Sequence, residues 1–223
     1  MISLSAGTGS RHNESMSQLL PLFPLQLVAL PGTAIPLHIF EERYKEMVGE
    51  AEAAGSEFGI VLAKEGGVVN AGCTVIVETV MERYPDGRLD IVARGKRRFT
   101  LLSLDREKEY LRGEVDYFDD DEWEPVTQDL RSRVLSAWDE VREAAPDELP
   151  DIDPQHPLLS FQLARWLNDL EFQDMTLRTR SEAARLRRFV EFAETYVSRT
   201  QYAEKMKRVA PTNGSGHKPA IIP

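Results

Sequence analysis

The stretch LPLFPLQLVALPGTAIPLHIFEERY, residues 20–44, says more about the fold than any other part of this chain. Its apolar residues occur in short runs, and no run in the chain approaches the roughly 18 residues that a membrane-spanning helix requires. Towards its end, apolar residues begin to recur every three to four positions: Phe40, Tyr44, Met47, Val48 and Ala51. The spacing predicts a helix over about 40–54, and the short apolar runs argue against a membrane protein.

Outward from this stretch, short runs rich in β-branched residues alternate with turn residues. These runs are FGIVLA (58–63), CTVIVETV (73–80), RLDIVARG (88–95), RFTLLSL (98–104) and YLRGEVDYF (110–118). The segment YPDGR, residues 84–88, predicts a hairpin, because proline presets φ for a turn and Asp-Gly tolerates positive φ. Residues 18–118 are therefore expected to form a mostly β unit, a sheet or small barrel, with one helix.

After Asp119 the apolar spacing becomes helical. Three apolar stripes are present: Leu130, Val134, Trp138 and Val141; Leu159, Leu163, Trp166, Leu167 and Leu170; and a third that runs from Ser181, a candidate N-cap, to Met206. Residues 119–210 are expected to form a helical bundle that shares a core with the β unit. The polar, Gly- and Pro-containing ends, 1–17 and 211–223, are predicted to be disordered tails.

The charge and cysteine content limit the function classes. The chain has 27 Lys and Arg residues against 37 Asp and Glu residues, a formal net charge of −10, which argues against nucleic acid as the main partner. A single cysteine cannot form an intramolecular disulfide, and the N-terminal residues lack the apolar segment of a secretory signal. We therefore expect a cytoplasmic protein.

No motif predicts catalysis, a cofactor or a metal. A phosphate-binding loop needs Gly-x-x-x-x-Gly-Lys-Ser/Thr, which is absent. The four histidines lack the spacing of a zinc site: His12, His38, His156 and His217. Cys73 opens an apolar β run, where a buried, inert thiol is the expected outcome rather than a nucleophile.

Three further features have an ordinary structural interpretation. The basic run 94–98 offers contacts to RNA, but a charged hairpin face is the favoured interpretation. The acidic stretch 116–124 lacks the ligand pattern of a calcium loop and is expected to be a solvated linker. Trp138 and Trp166 fall on apolar helix faces and are expected in the core, whereas Trp123 is the candidate exposed tryptophan.

The opening segments LPLFPL (20–25), LPG (30–32) and IPLHIFEERY (35–44) closely resemble the start of the Lon protease N-terminal, substrate-binding domain. Segments typical of that family follow in order: FGIVL (58–62), AGCTV (71–75), PDGR (85–88) and GKRRF (95–99). The helical half, with FQLA at 161–164, also looks like the part that follows the barrel in that family. The resemblance implies an α+β fold, a PUA-like β pseudobarrel with one inserted helix followed by a small C-terminal helical bundle.

The resemblance also implies a role in recognising and holding substrate proteins. A chain of 223 residues without a nucleotide-binding loop has no room for the ATPase and Ser–Lys protease domains of that protease, so we expect a non-catalytic module. Its expected partners are unfolded or degron-bearing polypeptides, with a separate ATPase or protease as a further candidate. The candidate peptide-binding residues are Pro31, Gly32, His38, Phe40, Tyr44 and Arg94. Two alternatives remain: an RNA-binding PUA-like protein and, ranked below it, an enzyme with an unfamiliar site.

Overall fold

The computed structural model of the protein describes residues 19–121, 124–145 and 148–209, which form six strands and five helices. The strands are β1 (Leu20–Leu25), β2 (Ala34–Ile39), β3 (Phe58–Lys64), β4 (Gly67–Arg83), β5 (Leu89–Asp105) and β6 (Arg112–Phe118). The helices are α1 (Glu42–Ala54), α2 (Gln128–Ala144), α3 (Leu159–Trp166), α4 (Leu170–Arg178) and α5 (Glu182–Val209). Both predicted tails and Trp123 lie outside the described residues.

Five of the strands close into a ring. Strand β5 pairs with β4 and β6, β6 pairs with β1, β1 pairs with β3, and β3 pairs with β4. Strands β4 and β5 are 17 residues long, so β5 pairs with β2 along its first half and with β6 along its second half. The predicted α+β fold with a β pseudobarrel is confirmed, and β2 is attached to the ring through β5 alone among the described residues.

The predicted hairpin connects β4 to β5. Tyr84 N–H donates to the Arg88 carbonyl at 3.0 Å, and Gly87 lies at φ +83°, as the Asp-Gly sequence requires. The runs 88–95 and 98–104 are one continuous strand rather than two. Gly95 lies within the strand and not at a turn. Because it has no side chain, the loop that contains Leu30 can approach the strand closely at this position.

Strand β2 alternates strictly between the core and the surface. Ile35, Leu37 and Ile39 are buried, and the residues between them face outward. The helix predicted over 40–54 begins at Glu42, so Phe40 lies ahead of it and is 59% exposed. The assignment of Phe40 to the apolar helix face is therefore wrong. At Phe40 the chain still alternates between buried and exposed side chains as in β2, and Phe40 falls on the exposed side.

The helical half follows the predicted stripes except near helix ends, where Trp166, Leu170 and Met206 are exposed. The side chains predicted to be buried in α2 are in the core, and Ser181 accepts the Ala184 N–H at 3.2 Å as the N-cap of α5. The second stripe is divided into α3 and α4, because Asp169 caps a new helix by accepting the Phe172 N–H at 2.9 Å. Trp166, at the end of α3, is 41% exposed, so its predicted place in the core is wrong.

One hydrophobic cluster contains side chains from both halves of the chain. Phe58 and Ile91 come from the strands, Met47 from α1, and Trp138 and Phe189 from the later helices. A second cluster lies on the other face of the barrel strands and is built on Leu20, Leu22, Val61 and Phe99. The first cluster fixes β2 and α1, which carry the candidate site, against the helical half.

Candidate functional site

An exposed group of aromatic rings lies at the C-terminal end of β2. The Phe40 and His38 rings stack at 5.9 Å, and the Tyr84 ring meets His38 edge-on at 6.1 Å. Phe40 is among the most exposed large apolar side chains of the described residues. We call Phe40, His38 and Tyr84 the β2 aromatic cluster, which presents an apolar surface to solvent.

Asp90 on β5 holds two of these rings in place. It lies opposite His38 in the strand register, and the His38 Nδ1 donates to its carboxylate at 2.5 Å. The Tyr84 hydroxyl donates to the other carboxylate oxygen at 2.7 Å. These hydrogen bonds, first from His38 and then from Tyr84, lower the pKa of Asp90, and the bond to Asp90 raises the pKa of Tyr84. The His38 and Tyr84 rings are thus oriented by polar contacts with Asp90, and the Phe40 ring remains exposed to solvent.

Gly32 and Arg94 lie at the other end of β2. Arg94 donates to the Gly32 carbonyl at 2.9 Å and forms an ion pair with Glu78 at 2.6 Å. In the register Arg94 faces the first residue of β2, whereas His38 is four residues further along, about 13 Å away at the rise of a strand. The predicted surface is therefore divided between the two ends of one strand.

Two of the six candidate residues are not accessible. Tyr44 is buried, with its ring 4.1 Å from that of Phe23, and this burial raises the pKa of its hydroxyl. Pro31 is also buried, within the turn that leads into β2. Pro31, ahead of β2, and Tyr44, in the first turn of α1, both pack inward. We therefore remove them from the candidate surface.

Residues 19–195 match the family model described as the ATP-dependent protease La (LON) substrate-binding domain. The chain belongs to this family. A Lon protease from Parabacteroides distasonis is 26% identical over 135 residues, which are 56% of this chain and 16% of that protein. A Lon protease from Porphyromonas gingivalis is 22% identical over 153 residues, 61% of this chain and 18% of that protein. The chain thus spans less than a fifth of the length of these curated relatives.

Solved structures share the fold. The Lon N-terminal domain protein from Xanthomonas campestris is 28% identical with a TM-score of 0.59, and the match covers 78% of this chain and 97% of that one. The N-terminal domain of the Mycobacterium avium complex Lon protease has a TM-score of 0.54 at 18% identity, covering 79% and 98%. The latter likeness shows the fold alone. The predicted membership of the Lon substrate-binding domain family is confirmed.

The basic run 94–98 of this Lon-family domain is largely compensated by carboxylates. Arg97 pairs with Glu57 at 3.0 Å, and its guanidinium lies 3.9 Å from the Tyr117 ring centroid. Arg98 is 5% exposed and bonds to Asp120 at 2.6 Å. The prediction of a charged hairpin face is therefore wrong for Arg98, whose side chain points into the protein and not towards solvent.

A buried ionic network, missed at the sequence level, joins the barrel to the bundle. Asp120 accepts hydrogen bonds from Arg98 on β5 and from Arg185 on α5, each at 2.6 Å. Arg185 is 1% exposed and also bonds to Glu182 at 2.7 Å and to the Ser160 hydroxyl at 2.8 Å. The interpretation of 116–124 as a purely solvated linker is wrong at Asp120, because two guanidinium groups hold it there.

The only cysteine is protected from reaction. Cys73 is fully buried on β4, and burial raises the pKa of its thiol to about 12. We expect native protein at pH 8 to react with a disulfide reagent at least a hundredfold more slowly than protein unfolded in urea, because the thiolate is the reactive form. A time course of thiol release measures this. Equal rates in the two states would contradict the burial of Cys73.

Other surfaces of the described residues carry less chemistry. An open groove of about 310 Å³ lies between α2 and α5, lined by apolar Ala137, Val190 and Ala193 and by both basic and acidic side chains. Within the described ranges, no group of three or more His, Cys, Asp or Glu side chains is placed to hold a metal ion. No described helix is long and apolar enough to cross a bilayer.

Proposed function

We propose that the protein is a non-catalytic recognition module that binds exposed apolar segments of unfolded or degron-bearing polypeptides. The observation that carries the proposal is the β2 aromatic cluster. Its Phe40 is 59% exposed and lies next to β2, the strand that pairs with the ring only through β5 among the described residues. Membership of a family described by substrate binding supports it. A separate ATPase or protease that receives the bound polypeptide is part of the same proposal.

The cluster suits a partner whose apolar side chains are accessible. A phenylalanine side chain buries 150–250 Å² when fully covered, and apolar area contributes about 25 cal/mol per Å². Covering the exposed part of Phe40 therefore stabilises a complex by about 2–4 kcal/mol. Folded proteins keep most such side chains inside, so the cluster favours unfolded chains over folded ones without requiring a fixed sequence.

The electrostatics of the cluster fit this role. The polar atoms of His38 and Tyr84 bond to Asp90, and Arg88, whose guanidinium lies 4.9 Å from the Tyr84 ring centroid, is paired with Asp86, so the charges beside the rings already have partners within the protein. The net charge of −10 and the paired arginines of the 94–98 run disfavour an RNA backbone as the ligand. Binding by apolar contact is therefore expected to tolerate salt, in contrast to binding through phosphates.

Replacing Phe40 with alanine tests the proposal. The probe is a small disulfide-bonded protein that has been reduced and alkylated with iodoacetamide, so that it stays unfolded. We expect Phe40→Ala to weaken binding of this probe at least tenfold, because about 1.4 kcal/mol of apolar contact is a factor of ten in affinity. Fluorescence anisotropy of the labelled probe measures the change.

Leu102→Ala is the matched control. Leu102 on β5 is 58% exposed, almost the same as Phe40, but it lies at the register shift of the β5–β6 ladder and not beside β2. We expect this variant to bind the probe within about twofold of the parent protein, with both variants melting near the parent temperature. Equal losses in the two variants would assign binding to general surface hydrophobicity and contradict the proposed site.

A further inference from the structure

The outer edge of β2 has unused backbone groups. Gly95 N–H donates to the Thr33 carbonyl at 3.0 Å and the Gly95 carbonyl accepts the Gly32 N–H at 3.0 Å, so the backbone groups of Gly95 point towards the β2 side of β5. In an antiparallel ladder every second residue of β5 has this direction, so the partners Ile35, Leu37 and Ile39 exchange hydrogen bonds with β5. The residues between them, Ala34, Pro36 and His38, direct their backbone N–H and C=O groups away from β5.

These outward groups have no partner in the part of the chain that the structure describes. Strand β2 has β5 as its sole sheet neighbour there, and none of the described backbone or side-chain hydrogen bonds reaches Ala34, Pro36 or His38 on the outer edge. Proline has no N–H, so this edge has two donors and three acceptors. A proline is tolerated in a strand only where its missing donor faces away from the ladder, which agrees with the assignment.

We propose that the outer edge of β2 binds an extended segment of a client polypeptide as an added strand. The inference rests on the proposed function and names its mode of recognition. The two donors are four residues apart, about 13 Å, which an extended chain matches with its own rise of about 3.3 Å per residue. A helical ligand has already used its backbone groups internally, so the edge selects a chain in extended form.

The β2 aromatic cluster extends this edge. Ala34, Pro36 and His38 face the same side of the sheet, and Phe40 continues their parity beyond the end of the strand. An added strand would place every second side chain over this row. Backbone pairing then supplies affinity without regard to sequence, while the contact with Phe40 favours an apolar side chain near one end of the bound segment.

Amide hydrogen exchange followed by NMR tests the proposal on the full chain. In the free protein the Ala34 and His38 amides are expected to exchange at least tenfold faster than those of Ile35 and Leu37, which donate to β5. Saturation with the alkylated, unfolded probe is expected to slow the Ala34 and His38 amides about tenfold. Binding without this protection would overturn the strand-addition mode alone, whereas no binding would overturn the proposed function as well.

A pair of variants at one position separates the backbone from the side chain. His38→Pro and His38→Ala both remove the imidazole and its contact with Asp90, but only His38→Pro removes the outward N–H. We expect His38→Pro to bind the probe about tenfold more weakly than His38→Ala, with both variants showing a native circular dichroism spectrum. Equal affinities would contradict a role for this N–H.

A second copy of the chain is the competing occupant of the edge. If the Ala34 and His38 amides are already protected in the free protein and light scattering gives the mass of a dimer, the edge pairs two copies. That result would overturn the proposal of a client strand. A monomer with unprotected amides that become protected on adding the probe would support it.

Discussion

Replacing Arg185 with methionine is expected to lower the free energy of unfolding by about 3–5 kcal/mol, the cost of breaking a buried ion pair by removing one partner. Arg185 is 1% exposed, and its removal leaves Glu182 without the guanidinium that it contacts and leaves Asp120 with Arg98 as its remaining guanidinium partner. Methionine fills much of the space, so the loss measures mainly the uncompensated charge and not a cavity.

Arg187→Met is the control on the same helix. Arg187 also forms a two-pronged pair with a carboxylate, that of Glu124, but its side chain is 44% exposed. Exposed pairs of this kind contribute about 0–1 kcal/mol. Urea unfolding at pH 7 is expected to separate the two variants by at least 2 kcal/mol, and overlapping transitions would contradict the importance of the buried network.

The network also predicts a pH dependence. Burial alone would raise the pKa of Asp120, but the hydrogen bonds and charges of Arg185 and Arg98 outweigh it and lower the pKa below its usual value. Asp120 therefore contributes stability that is complete above the unfolded pKa of about 3.9 and is lost as the pH falls through the lower folded value. This acid-sensitive contribution should shrink in Arg185→Met.

Gly95→Ala is expected to destabilise the protein by about 3 kcal/mol or to prevent folding. A β-carbon at Gly95 would lie 2.1 Å from the Leu30 carbonyl oxygen and 2.8 Å from its carbon, and both are backbone atoms that cannot rotate away. The loop before β2 would have to move and to break the hydrogen bonds that Gly95 exchanges with Gly32 and Thr33, both 3.0 Å long. Overpacking of this kind usually costs 1–3 kcal/mol, and the lost bonds add to it.

Gly49→Ala is the opposite control. Gly49 lies within α1, and an added β-carbon meets nothing within 4 Å. Alanine favours a helix over glycine by about 0.5–1 kcal/mol, so this variant should be slightly more stable than the parent. Thermal unfolding of the two variants measures the contrast, and a Gly95→Ala protein as stable as the parent would show that Leu30 does not approach this strand closely.

Local signals in the sequence were sufficient for the turns and caps. The Asp-Gly turn before Arg88 and the Ser181 cap each depend on residues within four positions, and both are formed as predicted. The pseudobarrel itself followed from the family resemblance, because the order of strands around a ring is not encoded in their periodicity. The apolar periodicity did not fix the residue at which α1 begins. Phe40 was therefore assigned to the helix, although it precedes the first helical residue, Glu42.

The long-range contacts could not be predicted from the sequence. Asp120 meets Arg98 and Arg185 across separations of 22 and 65 residues, and nothing distinguishes these three among neighbouring charged residues. The runs 88–95 and 98–104 were predicted separately, because the loop that Gly95 accommodates within one strand is more than sixty residues earlier in the chain. The free edge of β2 depends on which strands close the ring, so it became visible only in the fold.

Recognition of unfolded polypeptide by this Lon-family domain is tested most directly by a single titration series. The purified full chain is titrated with one labelled protein in its native form and in its reduced, alkylated form, and with single-stranded RNA, each at low and moderate salt. We expect binding to the unfolded form alone, with an affinity that changes little with salt. Equal binding to the native form, or binding to RNA that weakens steeply with salt, would contradict the account.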